Sequence, residues 1–189
     1  GLIIGTIIGL IAGYYGGWAE ALIMRVVDVL MAFPLLIIAI ALISVMGSSE
    51  TNIIIALAIV IWPHVTRLVR SQVLSIKERE YISAARIVGV ADRGIMFRHI
   101  LPNILTPLVV YGTLGLAGVI LQEASLSFLG LGSAEQTVPS WGKMLNESQA
   151  FIRSAWWMPF FPGLAILLTV LGFNLLGDGL RDALDVRGQ

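Results

Sequence analysis

The chain has 189 residues, of which 57% are hydrophobic and only 13% are charged, with a formal net charge of zero. Soluble domains carry roughly a quarter charged residues, so this composition argues against a soluble fold and predicts a polytopic membrane protein. With no net charge, only the distribution of charges carries information about partners. The chain has no cysteine, which excludes a disulfide framework and thiol chemistry.

The first hydrophobic segment runs from Leu2 to Ala12, and Tyr14 and Tyr15 extend it towards the membrane interface. Gly5 and Gly9 form a Gly-x-x-x-Gly pair, a spacing that lets membrane helices approach closely. Two interpretations stay open. The glycines make a specific helix contact, or they reflect the general composition of membrane helices.

The next two segments differ in character. Residues 18–33 mix polar and apolar side chains, which predicts an amphipathic helix near the membrane surface or lining the bundle. Pro34 kinks or restarts this helix, and residues 35–46 complete a span. The third hydrophobic segment extends from Ile53 to about Val69.

A polar stretch after the third segment concentrates the positive charge of the chain. It holds, or borders on, Arg67, Arg70, Lys77, Arg79, Arg86, Arg93 and Arg98. Within it, Tyr81, Ala84, Ala85 and Val88 recur at i, i+3, i+4 and i+7, which predicts one shallow face of a short helix. Gly89 follows, where a helix can end in the left-handed conformation that glycine adopts at little cost.

The last two hydrophobic segments span residues 104–120 and 160–176. Between them, residues 133–154 are predicted to form a polar loop, and Trp156 with Trp157 forms an interfacial anchor. Glu123, at the end of the fourth segment, allows two interpretations. It sits at the outer interface, or it faces a pathway inside the helical bundle and meets cationic groups there, because charges at membrane depth usually face a bundle interior.

Three motifs resemble the permease subunits of ATP-binding-cassette (ABC) importers. The stretch Ser83-Ala84-Ala85, followed by Gly89 and closed by Leu101-Pro102, matches the spacing of that family's cytoplasmic signature loop. Ser83 and His99 replace the family's usual glutamate and isoleucine. The amino-acid sequences of three stretches are similar to those of the dipeptide, oligopeptide and nickel branch of these permeases: residues 97–103, 123–132 and 174–182.

This resemblance implies an all-α fold, the helical bundle of a type I ABC importer transmembrane domain. Residues 1–189 would form one such domain with five spans, preceded by a further span upstream, and residues 72–102 would form its cytoplasmic coupling loop. The interface with the ATPase would comprise Glu80, Tyr81, Ser83, Ala84, Ala85, Val88 and Gly89, with Leu101 and Pro102 closing the loop. In this loop Pro102 suits the first turn of the next helix.

The basic residues also predict an orientation. If the signature loop is cytoplasmic, ten basic residues, including Arg181 and Arg187, lie inside and only Lys143 and Arg153 lie outside. This asymmetry follows the positive-inside rule. The C-terminus is then cytoplasmic, residues 131–155 face outward, and the chain is a multi-pass protein of a bacterial or archaeal plasma (inner) membrane.

The chain offers little chemistry of its own. It contains no P-loop pattern and no His-Glu-x-x-His motif, and His64 and His99 are far apart in sequence. Few aromatic residues accompany the basic ones, which argues against nucleic-acid binding. We therefore expect no catalytic residues, no metal and no cofactor, and ATP hydrolysis by separate subunits.

The resemblance to ABC importer permeases implies that the chain forms half of a translocation pathway for di- or oligopeptides. The partners that the resemblance implies are a second homologous permease in a heterodimer, two ABC ATPase subunits and an extracytoplasmic solute-binding protein, all at the lipid bilayer. Alternatives are a nickel or other small-solute ABC permease, a stand-alone channel or ion-coupled transporter, a membrane-embedded enzyme, and a passive anchor. Rows of intramembrane acids would favour ion coupling, and the chain lacks them.

Overall fold

The computed structural model describes residues 1–133 and 138–185, and in these ranges the chain is helical apart from turns and short connections. Arg187, counted above among the inside charges, lies outside the described residues. The helices are α1 (Leu2–Tyr15), α2 (Gly17–Met31), α3 (Leu35–Met46), α4 (Glu50–Lys77), α5 (Glu80–Ile87), α6 (Asp92–Gly94), α7 (Leu101–Phe128), α8 (Trp141–Ser148) and α9 (Trp157–Asp185). A π-helical turn (Ile95–Ile100) connects α6 to α7, and a 3₁₀ turn (Gln149–Phe151) follows α8.

Three helices of the described chain are long and apolar enough to cross a membrane. They are α4, the continuous helix from Asp92 to Phe128, and the helix from Trp157 onward. The broken pair α2–α3, interrupted at residues 32–34, makes a fourth span if counted as one, and α1 is apolar but shorter. Each predicted hydrophobic segment is therefore helical, although only three reach spanning length alone, since about 20 residues are needed.

Three boundaries differ from the sequence prediction. Pro102 was expected in the first turn of a new helix, but that helix already begins at Asp92 and passes through the π-helical turn. The predicted polar loop 133–154 contains α8 and a 3₁₀ turn in its described part. The coupling loop 72–102 likewise includes the last residues of α4, because this helix continues to Lys77.

The chain divides into two compact units, of which the first comprises residues 1–33 and 58–109. In this unit α1 lies directly against α4. A Cβ atom added to any of three α1 glycines would come 2.5–2.7 Å from the Cβ of the valine opposite, in the pairs Gly5–Val65, Gly9–Val69 and Gly13–Val73. Only glycine permits this approach, so of the two interpretations left open the structure supports a specific helix contact, with α4 as the partner.

Polar contacts supplement this packing in the first unit. Thr66, fully buried on α4, donates its hydroxyl to the carbonyl of Gly5 at 3.2 Å. Two acids of α2 pair with two arginines of α4, in the pairs Asp28–Arg67 at 2.5 Å and Glu20–Arg70. The first pair is about half exposed, and such pairs contribute about 1 kcal/mol or less. The two acids therefore lie on the side of this amphipathic helix that meets α4.

The second unit comprises residues 34–57 and 110 onward. Here α8 packs against α9 and also reaches α7. A Cβ atom on Gly142 would collide with the backbone of Ala124, and the Asn146 side chain donates to the carbonyl of Phe128 at 2.6 Å. On α9, a Cβ atom added to Gly177 would come within 2.5 Å of the Leu114 side chain. The predicted polar loop therefore contains a helix in its described part, and Gly142 allows the backbone of this helix to approach α7.

Candidate coupling and solute sites

The short helix α5 forms where the signature motif predicts it. Arg79 precedes it in an extended conformation, and Glu80 in its first turn complements the positive helix N-terminus. At the other end Gly89 has a φ of +86°. The amide of Val90 donates to the carbonyl of Ala85 and that of Gly89 to the carbonyl of Arg86, both at 3.0 Å. This is the glycine-terminated capping turn that the sequence predicted.

One side of α5 is attached to the first unit. Ile82 is fully buried, and the Arg86 guanidinium lies 5.5 Å above the ring centre of Tyr14 on α1. The hydroxyl of Tyr14 in turn donates to the carboxylate of Asp92, just after α5, at 2.6 Å. The Nζ of Lys77, just before α5, donates to the backbone carbonyl of Tyr14 at 3.2 Å.

The other side of α5 is open. Of the predicted interface residues, Glu80, Ser83, Ala84 and Gly89 are exposed, as are Tyr81 (40%) and Val88 (82%). Ala85 is only half-buried and lies at the edge of the buried side of α5, the side that carries Ile82. Within this chain, the exposed surface of α5 therefore centres on Ala84 rather than on Ala85.

Sequence reasoning missed Ile87, which is 87% exposed at the last position of α5. Its position falls outside the i, i+3, i+4, i+7 series that began at Tyr81. Together with Val88, it forms an apolar pair directly before the capping glycine. The signal that could have found it is the pair itself: two adjacent β-branched residues in an otherwise charged loop.

The predicted loop-closing pair lies inside a continuous helix. Leu101 and Pro102 follow the π-helical turn, and the Asn103 side chain donates to the carbonyl of His99 at 2.6 Å. Proline has no amide hydrogen, and a π-helical turn also shifts the hydrogen-bond register. The asparagine amide therefore supplies a hydrogen bond at the point where the backbone pattern changes.

Glu123 lies near the end of α7 in the second unit. Its Oε1 accepts hydrogen bonds from Ser127 at 2.6 Å and from Ser140, the residue before α8, at 2.9 Å. The carboxylate thus joins α7 to the start of α8. It also lines a cavity of about 630 Å³ with a second acid, Glu50, and with apolar side chains that include Ile53, Leu57 and Trp141.

The described residues contain no cluster of three or more His, Cys, Asp and Glu side chains that could hold a metal ion. Within that range, buried side-chain atoms without a hydrogen-bond partner are His64 Nδ1 and Gln122 Oε1. A single imidazole without further ligands does not make a metal centre.

The chain matches a known family of membrane transport components over nearly its whole length. Residues 5–187 match the family of binding-protein-dependent transport system inner membrane components. The chain belongs to this family. The resemblance stated from the signature motifs is thereby confirmed, and the all-helical membrane fold agrees with it. As the family description says, its members are components of the inner membrane that serve transport.

Individual relatives of this permease family narrow the branch. The chain is 54% identical over 97% of its length to the dipeptide transport system permease protein DppC of Alkalihalophilus pseudofirmus. It is 51% identical over 98% of its length to the glutathione transport system permease protein GsiD of Pectobacterium atrosepticum, and 52% identical to GsiD of Escherichia coli O157:H7. The chain spans about three fifths of the length of these relatives, which is 60% for the first and 61% for the others.

Proposed function

We propose that this chain is a permease subunit of an ATP-driven ABC importer that carries small peptides. It is not itself an enzyme. The relatives named for dipeptide and glutathione transport support this solute class. The observation that carries the coupling role is α5, a short helix outside the long spans that exposes Ile87 and Val88 while its opposite side is attached to α1.

The open side of α5 would dock into a cleft on an ATPase subunit. Burying one such aliphatic side chain is worth about 1.5–3 kcal/mol, so the pair supplies an anchor that a polar loop would lack. Ala84 lies between Tyr81 and the pair formed by Ile87 and Val88. Its small side chain keeps the surface shallow, which allows the ATPase to approach closely. The interface proposed here comprises Glu80, Tyr81, Ser83, Ala84, Ala85, Val88 and Gly89, with Ile87 added. Leu101 and Pro102 end the segment that carries it.

The other partners would be a second homologous permease subunit, a second ATPase and an extracytoplasmic solute-binding protein. When the ATPases close on ATP, α5 would move with them and carry the attached helices as a body. Access to the pathway then alternates between the two sides of the membrane. Residues 1–189 act in this scheme as one transmembrane domain without a cofactor.

The decisive experiment substitutes Ala84→Trp in the full-length permease, co-expressed with its ATPases. A bulky side chain in a close-fitting contact costs about 1–3 kcal/mol, so the association constant should fall by roughly 5- to 150-fold. Co-purification of the ATPases and peptide uptake should both decline, while membrane insertion stays normal. Glu78→Trp, in the exposed turn before α5, is the matched control. Undiminished ATPase binding by Ala84→Trp would refute α5 as the docking surface.

The same scheme sets the orientation, with α5 and the C-terminus in the cytoplasm and residues 131–155 outside. Cysteine scanning with an impermeant reagent tests it. Gln149→Cys should label in intact cells and Glu78→Cys only after lysis, because both positions are exposed on the chain. Ser148 is unsuitable for labelling, since it is only 2% exposed. The opposite labelling pattern would invert the topology.

Glu123 would serve the solute pathway. The acidic cavity that it shares with Glu50 is large enough for a small peptide group, and its charge suits the terminal ammonium of a peptide. Glu123→Gln removes the charge but retains an oxygen that can accept from Ser127 and Ser140. The KM for a free dipeptide should rise relative to that for its N-acetylated form, whereas Glu147→Gln should change neither. An equal effect on both peptides would leave Glu123 with a structural role only.

A further inference from the structure

Tyr14 is the point at which the segments around α5 converge. It lies in the last turn of α1 and is only 5% exposed. Its hydroxyl binds Asp92, its ring carries Arg86, and its backbone carbonyl accepts from Lys77. These three partners come from the residue that ends α4, from α5 itself and from the first residue of α6.

This geometry restricts how α5 can move. The α5 helix is held by one residue before it, one residue after it and one residue in its last turn. All three of these residues contact Tyr14 of α1. Ile82 is fully buried, and α5 also contacts the π-helical segment behind it. A rotation or shift of α5 relative to α1 would separate Arg86 from the Tyr14 ring and strain the Asp92 hydrogen bond. A shift of α5 together with α1 breaks none of these contacts.

The α1 helix is in turn locked to α4. The contacts of Gly5, Gly9 and Gly13 with valines of α4 leave no space between the two backbones. A displacement that enters at α5 therefore reaches α1 through Tyr14 and then α4 through the glycines. The adjacent Tyr15 differs from Tyr14 because its side chain is 54% exposed. Among the described aromatic contacts, its ring contacts only that of Tyr14, in an edge-to-face arrangement.

We propose that Tyr14 is a positioning residue that fixes α5 to α1, so that movement of α5 is transmitted to the membrane helices. This inference rests on the proposed role of α5 as the ATPase-docking helix. Tyr14 touches neither nucleotide nor solute in this scheme. Its contribution is to transmit the movement of α5 to the membrane helices. Without this attachment, α5 would move only locally within the coupling loop.

The test compares Tyr14→Phe, Tyr14→Ala and Tyr15→Ala in the complete transporter, reconstituted in liposomes with its ATPases and binding protein. The phenylalanine keeps the ring under Arg86 and loses the bond to Asp92, whereas alanine loses both. Hydrogen bonds to charged groups are strong enough to shift an equilibrium about tenfold. Peptide uptake per ATP hydrolysed should therefore fall at least about threefold for Tyr14→Phe and further for Tyr14→Ala. Tyr15→Ala should retain the parent ratio.

A second measurement does not depend on ATPase docking. Spin labels at Tyr15 and Ile87 report the distance between α1 and α5 in the permease. The distribution should be narrow with Tyr14 and broad with Tyr14→Ala. A narrow distribution in that variant, or an unchanged uptake per ATP, would overturn the positioning role. Ala84→Trp separates the two proposals, because normal ATPase binding by that variant refutes docking at α5 whatever the spin labels show.

Discussion

The helices α5 and α8 are both eight residues long, yet they are attached to the rest of the chain in different ways. The α8 helix meets α7 backbone to backbone through Gly142. The α5 helix is held by side chains, through buried Ile82 and through Arg86 on the ring of Tyr14. Backbone contact thus brings α8 directly against α7, whereas α5 is held through side chains and keeps Ile87 and Val88 exposed.

The largest effect on stability is expected where α8 meets α7. Gly142→Ala places a methyl group against the Ala124 backbone, which cannot move aside as a flexible side chain can. We expect the free energy of unfolding in detergent to fall by about 1–3 kcal/mol.

Gly172→Ala is the matched control for this change. Gly172 lies within α9 and has open space around it, so alanine there should gain up to about 1 kcal/mol from helix propensity. Equal melting temperatures for the two variants would show that α8 is not held by backbone contact.

An intermediate effect is expected at the end of α5. Gly89→Val puts a β-branched side chain at a φ of +86°, which costs about 1–2 kcal/mol. No atom blocks the space around Gly89, so the strain is confined to the capping turn. The permease should insert and assemble, but it should hydrolyse ATP without moving peptide or lose its ATPases.

Gly89→Asn tests the cause of that defect. Asparagine tolerates the left-handed conformation better than valine does, so it should restore most of the uptake. Two variants that transport equally well would show that the conformation of residue 89 has no part in coupling.

The smallest effect on stability is expected on the open side of α5. Ile87→Ser changes an exposed residue, so the unfolding free energy should stay within about 0.5 kcal/mol of the parent. ATPase binding should nevertheless weaken about tenfold, because the aliphatic side chain no longer becomes buried. Pull-down of the ATPases at graded concentrations measures this change.

Ile152→Ser, at a position 58% exposed after α8, controls for the loss of surface hydrophobicity. It should leave ATPase binding intact. If both serine variants bind the ATPase alike, the open side of α5 carries no specific contact.

The sequence predicts α5 well because its signals are local: a helical period, a capping glycine and charged flanks. It does not predict α8, because this helix is short and lies within a stretch that is polar as a whole. The exposure of Ala85 and of Ile87 on α5 was likewise not predictable from the sequence. Which side of α5 is buried depends on Tyr14, a residue distant in sequence that no period reveals. The Gly5–Gly9 spacing allowed close packing but did not exclude a purely compositional origin, and it could not identify α4 as the partner.

The Glu123 site was predictable only in part. A carboxylate at the end of a span is visible in the sequence, but its bonds to Ser127 and Ser140 require α8 to fold back onto α7. The second acid of the cavity, Glu50, begins a different helix. Pairings of this kind depend on the tertiary fold, as do the Asp28–Arg67 and Glu20–Arg70 pairs.

The π-helical turn at Ile95–Ile100 sets the rotational phase between the start of its helix and the long span that follows. A π turn accommodates one additional residue in an α-helical path. Removing one residue from this turn would rotate α6 by about 100° about the helix axis relative to α7. Asp92 would then point away from α1, even though the sequence of the span itself would be unchanged. The length of this turn thus sets the direction of Asp92 independently of the composition of the span.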